Sequence, residues 1–152
     1  MKPKIVVVLF AFITLLSMLV YFIGNPSYEK SIKAKYYYET GDYKEAYSLA
    51  KEAFGLNLYN RMASTIMAQS KTSLRYVKYN EIAKKYMDDI SEIALHEDIS
   101  NSDKAKIRLI CEVMIGSYIK LAPSVITDKD LVAKTAAYHK QFEKLLEKVT
   151  KQ

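Results

Sequence analysis

The chain has 152 residues, 50% of them hydrophobic, and a formal net charge of +6, yet its mean hydropathy is only −0.11, which points to apolar residues gathered in one stretch. With Gly 4 and Pro 3, the composition excludes a loop-rich or all-β chain, since turns and hairpins need both residues. One cysteine and two histidines exclude an internal disulfide and a cysteine-based zinc site, and leave little for acid–base chemistry.

Residues 5–23 read IVVVLFAFITLLSMLVYFI, with no charge in 19 positions. At 1.5 Å per residue, about 20 such residues cross a hydrocarbon core of ~30 Å. Lys2 and Lys4 precede the run, Tyr21 and Phe22 suit its far interface, and Gly24-Asn25-Pro26 breaks the helix. A cleaved signal would have a shorter core and small residues before the cut. This run ends in Tyr21, Phe22 and Ile23, and no cysteine follows for lipid attachment. A core helix of a soluble domain would show a polar face. An uncleaved signal-anchor is the reading we adopt. Lys2 and Lys4 sit tight against the core, against Lys30, Lys33 and Lys35 beyond it, which favours a cytoplasmic N-terminus.

Residues 25–152 carry repeated helix signals. Asn25-Pro26 serves as cap and first-turn proline of a helix to about Thr40, ended by Gly41. Asp42 with Glu45 opens the next helix, to about Phe54, with Gly55 as its stop. A third starts near Asn60 with Ala63, Ile66, Met67, Ser70 and Leu74 at helical spacing. The stripe Tyr79, Ile82, Ala83, Tyr86, Met87, Ile90, Ile93 and Ala94 follows without a Gly or Pro between, so one long helix and two with a tight bend both fit. Residues 97–102 read as a loop, with Ser102 capping a helix that carries Ile107, Ile110, Cys111, Met114 and Tyr118 and ends at Pro123. Thr127 and Asp130 form a capping box for a last helix bearing Leu131, Thr135, Tyr138, Phe142, Leu145 and Val149. The expectation is an all-α chain: residues 1–24 as tail and transmembrane anchor, then residues 25–152 as one domain of five to six helices. That domain divides into hairpins over 25–96 and a C-terminal pair over 102–152.

Residues 34–54 resemble a tetratricopeptide repeat, a 34-residue pair of antiparallel helices with small residues at the close contacts. Ala34 and Tyr37 take the small and aromatic places of the first helix, Gly41-Asp42-Tyr43 the turn, and Ala46, Ala50 and Ala53 the contacts of the second. Alanine lets the two backbones approach, and tyrosine fills the groove between them. The pattern departs at Lys30 and Lys33, where an aromatic and a leucine are usual, at Ala50, where an aromatic is usual, and at Leu58, where a proline is usual. A second unit from Arg61 would place Ala68 in the small position but has Arg75-Tyr76 for a turn, and residues 97–152 show no repeat. A compact bundle and a short solenoid are both compatible with one good unit.

The resemblance implies a partner-binding face formed by the first helix of each pair. Projected here it carries Tyr28, Ile32, Lys35, Tyr38 and Glu39, with Met62, Ile66, Gln69 and Thr72 from the third helix; Ile32, Met62 and Ile66 are the ones expected in the core. Tyr28, Lys35, Tyr38, Glu39, Gln69 and Thr72 are therefore the candidate contacts. Of the 13 tyrosines only Tyr21 falls in the anchor, and Tyr36-Tyr37-Tyr38 cannot all face one core, since successive helical residues point about 100° apart. Tyrosine suits interfaces.

Catalytic constellations are not found. Cys111 lies on an apolar stripe, His96 has no His or Cys at helical ligand spacing, and His139 sits at a stripe edge. Asp98 to Asp103 fails as a calcium loop, with Asp103 where Gly is needed and Leu109 where Glu is needed. There is no phosphate loop and no Ser-His-Asp order. Residues 71–85 are mainly basic and 87–103 acidic, which reads as solvated helix faces of opposite sign, with blocks that set partner choice in an assembly as the alternative. The expectation is a membrane-anchored, non-enzymatic interaction scaffold or assembly factor of a bacterial envelope complex of motility, pilus or secretion type. Its helical domain would be periplasmic, with protein partners, lipid around residues 5–23, and no cofactor, metal, nucleic acid or small-molecule substrate. The alternative is a small accessory subunit held mainly by its anchor.

Overall fold

The computed structural model describes residues 3–96 and 98–151; Lys2 and Glu97, and the side chains of Pro3, Phe22 and Ile23, lie outside what is described. Among the described residues there are six helices and no strand: α1 Pro3–Gly24, α2 Pro26–Glu39, α3 Tyr43–Leu56, α4 Arg61–Ile93, α5 Asn101–Ile119 and α6 Lys129–Lys151. The chain divides into two compact units, Met1–Lys71 and Thr72–Gln152. The division falls inside α4 rather than at the loop near residue 97.

α1 has 22 residues, which extends it over ~33 Å. The apolar window Lys4–Tyr21 is long enough to cross a membrane, and none of it is buried. A core helix of a soluble domain would bury a face, so that reading loses its support. Thr14 and Ser17 return their hydroxyls to carbonyls of their own helix, Thr14 to Ala11 at 2.8 Å and Ser17 to Thr14 at 2.9 Å. That leaves few polar groups facing outward from the helix.

In the first unit α2 and α3 form an antiparallel hairpin. Asn25 caps α2 by accepting from the Ser27 N–H at 3.0 Å, with Pro26 at the first helical position. Gly41 takes φ +86°, the left-handed conformation that a side chain resists, and reverses the chain. Asp42 Oδ1 then accepts from the Glu45 N–H at 3.1 Å and starts α3. Ala34, Ala46, Ala50 and Ala53 are fully buried, and Tyr43 is nearly so. Ile66 of α4 joins Ala34, Ala46 and Ala50 in one cluster, against which Tyr37, Tyr38, Leu49 and Met67 pack. With no side chain beyond Cβ at the contact, the two backbones come close and the tyrosines close the rim. Ala50→Trp should destabilise this hairpin by about 1–3 kcal/mol by overpacking. Urea denaturation of the variant measures it, and an unchanged midpoint would show the contact to be loose.

Beneath the hairpin lies a buried polar node. Asn60 Nδ2 donates to Ser27 Oγ at 2.9 Å, to Ser27 O at 3.2 Å and to Ser31 Oγ at 3.2 Å. Ser27 Oγ donates onward to Ala53 O at 2.8 Å. Asn60 Oδ1 accepts from the Ala63 N–H at 3.1 Å and so caps α4 as well. At the edge Lys30 pairs with Glu52 at 2.7 Å. These bonds join the start of α2, the end of α3 and the start of α4.

The second unit contains the rest of α4, with α5 and α6. Its core is Tyr79, Ala83, Ile90, Ile93, Ile107, Ile110, Cys111, Met114 and Phe142, with Tyr86, Tyr118, Tyr138, Leu145, Leu146 and Val149 packed around it. Thr135 Oγ1 donates to Asn80 Oδ1 at 2.9 Å within this core, and Tyr79 Oη donates to Met114 O at 3.3 Å. The stripe residues of α5 and α6 thus meet as their spacing implied.

One open alternative is resolved and three local expectations change. Residues 61–93 are one helix, because nothing within that stretch breaks the backbone ladder. Gly55 lies inside α3, which runs to Leu56 and is capped at Asn57. The cap of α5 is Ser100, not Ser102, in a full capping box with Asp103: Ser100 Oγ accepts from the Asp103 N–H at 3.1 Å, and the Ser100 N–H donates back to the Asp103 carboxylate at 3.2 Å. Asp128 caps α6, accepting from the Asp130 and Leu131 N–H groups at 2.8 and 3.2 Å, while Thr127 turns its hydroxyl to the Ser124 N–H at 3.0 Å.

Candidate protein-interaction surface

The candidate contacts of the first helix fall on different sides of α2. Tyr38 is half-buried, edge-on to Tyr43 at 5.4 Å between ring centres, and packs on the alanine cluster. Lys35 and Glu39 are exposed and pair with each other at 3.6 Å. Tyr28 is half-buried at the start of α2. On α4, Gln69 and Thr72 are both half-buried, but Gln69 belongs to the first unit and Thr72 to the second. Of the three residues expected in the core, Ile66 is buried, whereas Ile32 is 55% and Met62 38% exposed. The correction has a simple cause. Ile32 is two residues before Ala34, about 200° round the helix, so it faces away from the alanine contact.

The same rotation explains Tyr36, which is not among the contacts expected from the sequence. Tyr36 is 63% exposed and meets Tyr37 edge-on at 5.6 Å. It lies two residues after Ala34, again about 200° away. The signal was present: of the three successive tyrosines, those three and four residues from Ala34 turn inward and the one two residues away cannot. Tyr28, Ile32 and Tyr36 are spaced by four and form one stripe along α2. Ion pairs flank it, Lys33 with Glu29 at 2.6 Å and Lys35 with Glu39 at 3.6 Å. The Lys33 hydrogen bond, and then its charge, hold the Glu29 carboxyl below its ordinary 4.5, and Glu29 in turn raises Lys33. An apolar, aromatic stripe edged by charges on a capped helix is a surface suited to a partner helix or peptide.

The second unit holds the groups considered for chemistry. Cys111 is fully buried, and burial, followed by the neighbouring Glu112 charge, pushes its thiol up to about 11. Burial, followed by Tyr118, pushes Tyr79 up to about 12. His139 stacks on Tyr118 at 3.9 Å between ring centres, and its Nε2 lies 3.4 Å from Glu143. His96 is exposed near the end of α4. Among the described residues no group of three His, Cys, Asp or Glu side chains is placed to hold a metal ion. A groove of about 310 Å³ between α4 and α5 is lined by Tyr79, Ile82, Tyr86, Val113 and Met114, with Arg75 and Lys120 at its rim. Arg75 Nη2 donates to the Lys120 carbonyl.

The raised thiol and phenol have a consequence for stability. Both acids stay protonated in the fold above the pH where they ionise in the unfolded chain, so the folded state binds more protons in that range. Stability is therefore full below pH 9 and falls as pH rises through about 11 and about 12. Denaturation midpoints should be level up to pH 9 and decline beyond it. At pH 8 alkylation of Cys111 should be slow in the native protein and fast in urea.

No protein-family model matches the chain, and no curated protein or solved structure matches it either.

Proposed function

We propose that this protein is a membrane-anchored interaction scaffold, in which α1 spans the membrane uncleaved and the hairpin presents the Tyr28–Ile32–Tyr36 stripe to a protein partner. The stripe is the observation that carries the reading. Its Ile32 and Tyr36 are exposed, and they lie opposite the alanine face that makes the contact with α3. Apolar residues in line on an otherwise charged helix are selected for contact more readily than for solvent. Binding energy at such surfaces concentrates in a few aromatic anchors. Lys4 at the start of α1, with the terminal segment before it, favours a cytoplasmic N-terminus and a helical domain on the other side. The tetratricopeptide-like pattern of residues 34–54 supports a partner in the form of a helix or extended peptide, as in an envelope assembly.

A photo-crosslinking residue at position 36 of the full chain in its native membrane tests this. A discrete adduct is expected from position 36 and none from the exposed position 140 on α6. The double variant Ile32→Ser/Tyr36→Ser should lose the partner and keep its folding free energy within about 0.5 kcal/mol, since both sites are exposed. Exchanging α1 for an unrelated anchor should leave the adduct intact. Its loss on exchange, with the stripe unchanged, would make the anchor itself the main contact, as in an accessory subunit.

A further inference from the structure

The end of the first unit where α1 leaves carries a second apolar feature. Only Asn25 separates Gly24, the last residue of α1, from Pro26, the first of α2. Ser27 is bonded both to Asn60 and to Ala53 O. The α3–α4 connection is therefore held at the exit of α1, and the Gly41 turn lies at the other end of the hairpin. Gly24 and Ser27 are three Cα steps apart, at most about 11 Å.

This connection is unlike a water-exposed loop. Gly55, Leu56, Asn57, Leu58 and Tyr59 carry no charge. Leu56 is 58%, Leu58 68% and Tyr59 91% exposed. Three of its N–H groups are bonded locally: the Asn57 N–H donates to Ala53 O of α3 at 3.1 Å, the Asn60 N–H to Asn57 O at 3.0 Å, and the Tyr59 N–H to Asn57 Oδ1 at 3.0 Å. Each N–H bonded locally beneath exposed apolar side chains lowers the cost of leaving water, and the interfacial layer still hydrates the rest. Arg61 follows at once and shares an open groove of about 490 Å³ with Leu58 and Tyr59, where a cation can meet lipid phosphate. The headgroup layer on each side of the hydrocarbon is roughly 5–8 Å deep and is where tyrosine is enriched.

We infer that Leu56, Leu58 and Tyr59 insert into the interfacial layer of the bilayer that α1 crosses, so that the hairpin stands on the membrane by its loop end while Tyr36 stays in water. The inference rests on the membrane reading of α1. It gives the scaffold a second lipid contact, which fixes how the Tyr28–Ile32–Tyr36 stripe is presented.

The chain has no tryptophan, so single-tryptophan variants of the full chain report position directly. Phe12→Trp, Tyr36→Trp and Tyr59→Trp are reconstituted into vesicles of mixed zwitterionic and anionic phospholipid, without bromine or with bromine on the acyl chains both near the headgroup and near the chain ends. Phe12→Trp and Tyr59→Trp should lose most of their emission to brominated lipid, Tyr59→Trp with a blue shift, and Tyr36→Trp should be unaffected. Quenching at position 12 without quenching at position 59 overturns the inference and leaves the anchor standing. Shielding of position 59 from aqueous iodide without bromine quenching also overturns it, since a protein surface then covers the loop. Equal quenching at positions 36 and 59 overturns it as well, because the hairpin then lies flat. Absence of quenching at position 12 removes the anchor and the inference together.

Discussion

Phe142→Ala should lower the stability of the second unit by about 3–5 kcal/mol. Phe142 is fully buried and sits in the cluster with Cys111, Met114, Tyr79 and Ile110. Two effects add. The lost ring forfeits its transfer free energy, and the cavity left among helices already in contact closes only partly. A loss of that size approaches the whole stability of a small helical domain. Thermal unfolding followed by circular dichroism should show a large downward shift of the midpoint. A loss below about 1 kcal/mol would mean that α6 is not seated on α4 and α5. Phe142→Leu separates packing from chemistry, since it retains most of the apolar volume and should cost clearly less.

Asn60→Ala should destabilise the first unit by about 2–4 kcal/mol, the loss of a helix cap combined with buried acceptors left without a donor. Asn60 is almost fully buried and makes both interactions with one side chain: Oδ1 accepts from the Ala63 N–H, and Nδ2 donates to Ser27 and Ser31. Asn60→Asp is the informative companion. A carboxylate keeps the cap on α4 but cannot donate to the two serines, so the loss in Asn60→Asp relative to the wild type reports the buried node, and the difference between the two variants reports the cap. If both variants unfold at the wild-type urea concentration, water replaces the amide and the node contributes no stability. Hydrogen exchange of the α2 amides gives a second readout, since loosening the node should open the start of α2 before the Gly41 end.

Much of the helical framework could be read in advance because its causes are local. Asn25-Pro26, Gly41 and Asp42 act within a turn of their own positions, by supplying an acceptor, a fixed φ or a left-handed residue. The errors came where two neighbouring residues compete for one local task. Ser100 and Ser102 could each cap α5, and the acid three residues on, Asp103, decides for Ser100. Thr127 and Asp128 could each cap α6; the carboxylate of Asp128 takes the helix N–H groups and Thr127 turns to Ser124. Gly55 permits a stop without requiring one, and α3 continues one residue past it. For the candidate surface, the pattern marked α2 but misassigned its sides. The alanines of α2 and α3 locate the packed face, and Ile32 and Tyr36 follow on the opposite face only once Ala34 is known to be in contact.

By itself the sequence determined that this protein is helical, that its first uncharged segment is long enough to cross a membrane, and that alanines and a Gly-Asp turn build one close hairpin. These follow from composition, period and short-range hydrogen bonding, none of which depends on distant residues. Tertiary structure decided what required residues far apart in the chain to meet. It made Asn60 a buried bridge to Ser27 and Ser31 as well as a cap, turned Tyr38 inward and left Tyr36 outside. It also held the uncharged Leu56–Tyr59 connection at the end where α1 leaves. The physical reason is the same in each case: burial and hydrogen-bond satisfaction are set by which surfaces meet, and helical period alone does not say which face finds a partner.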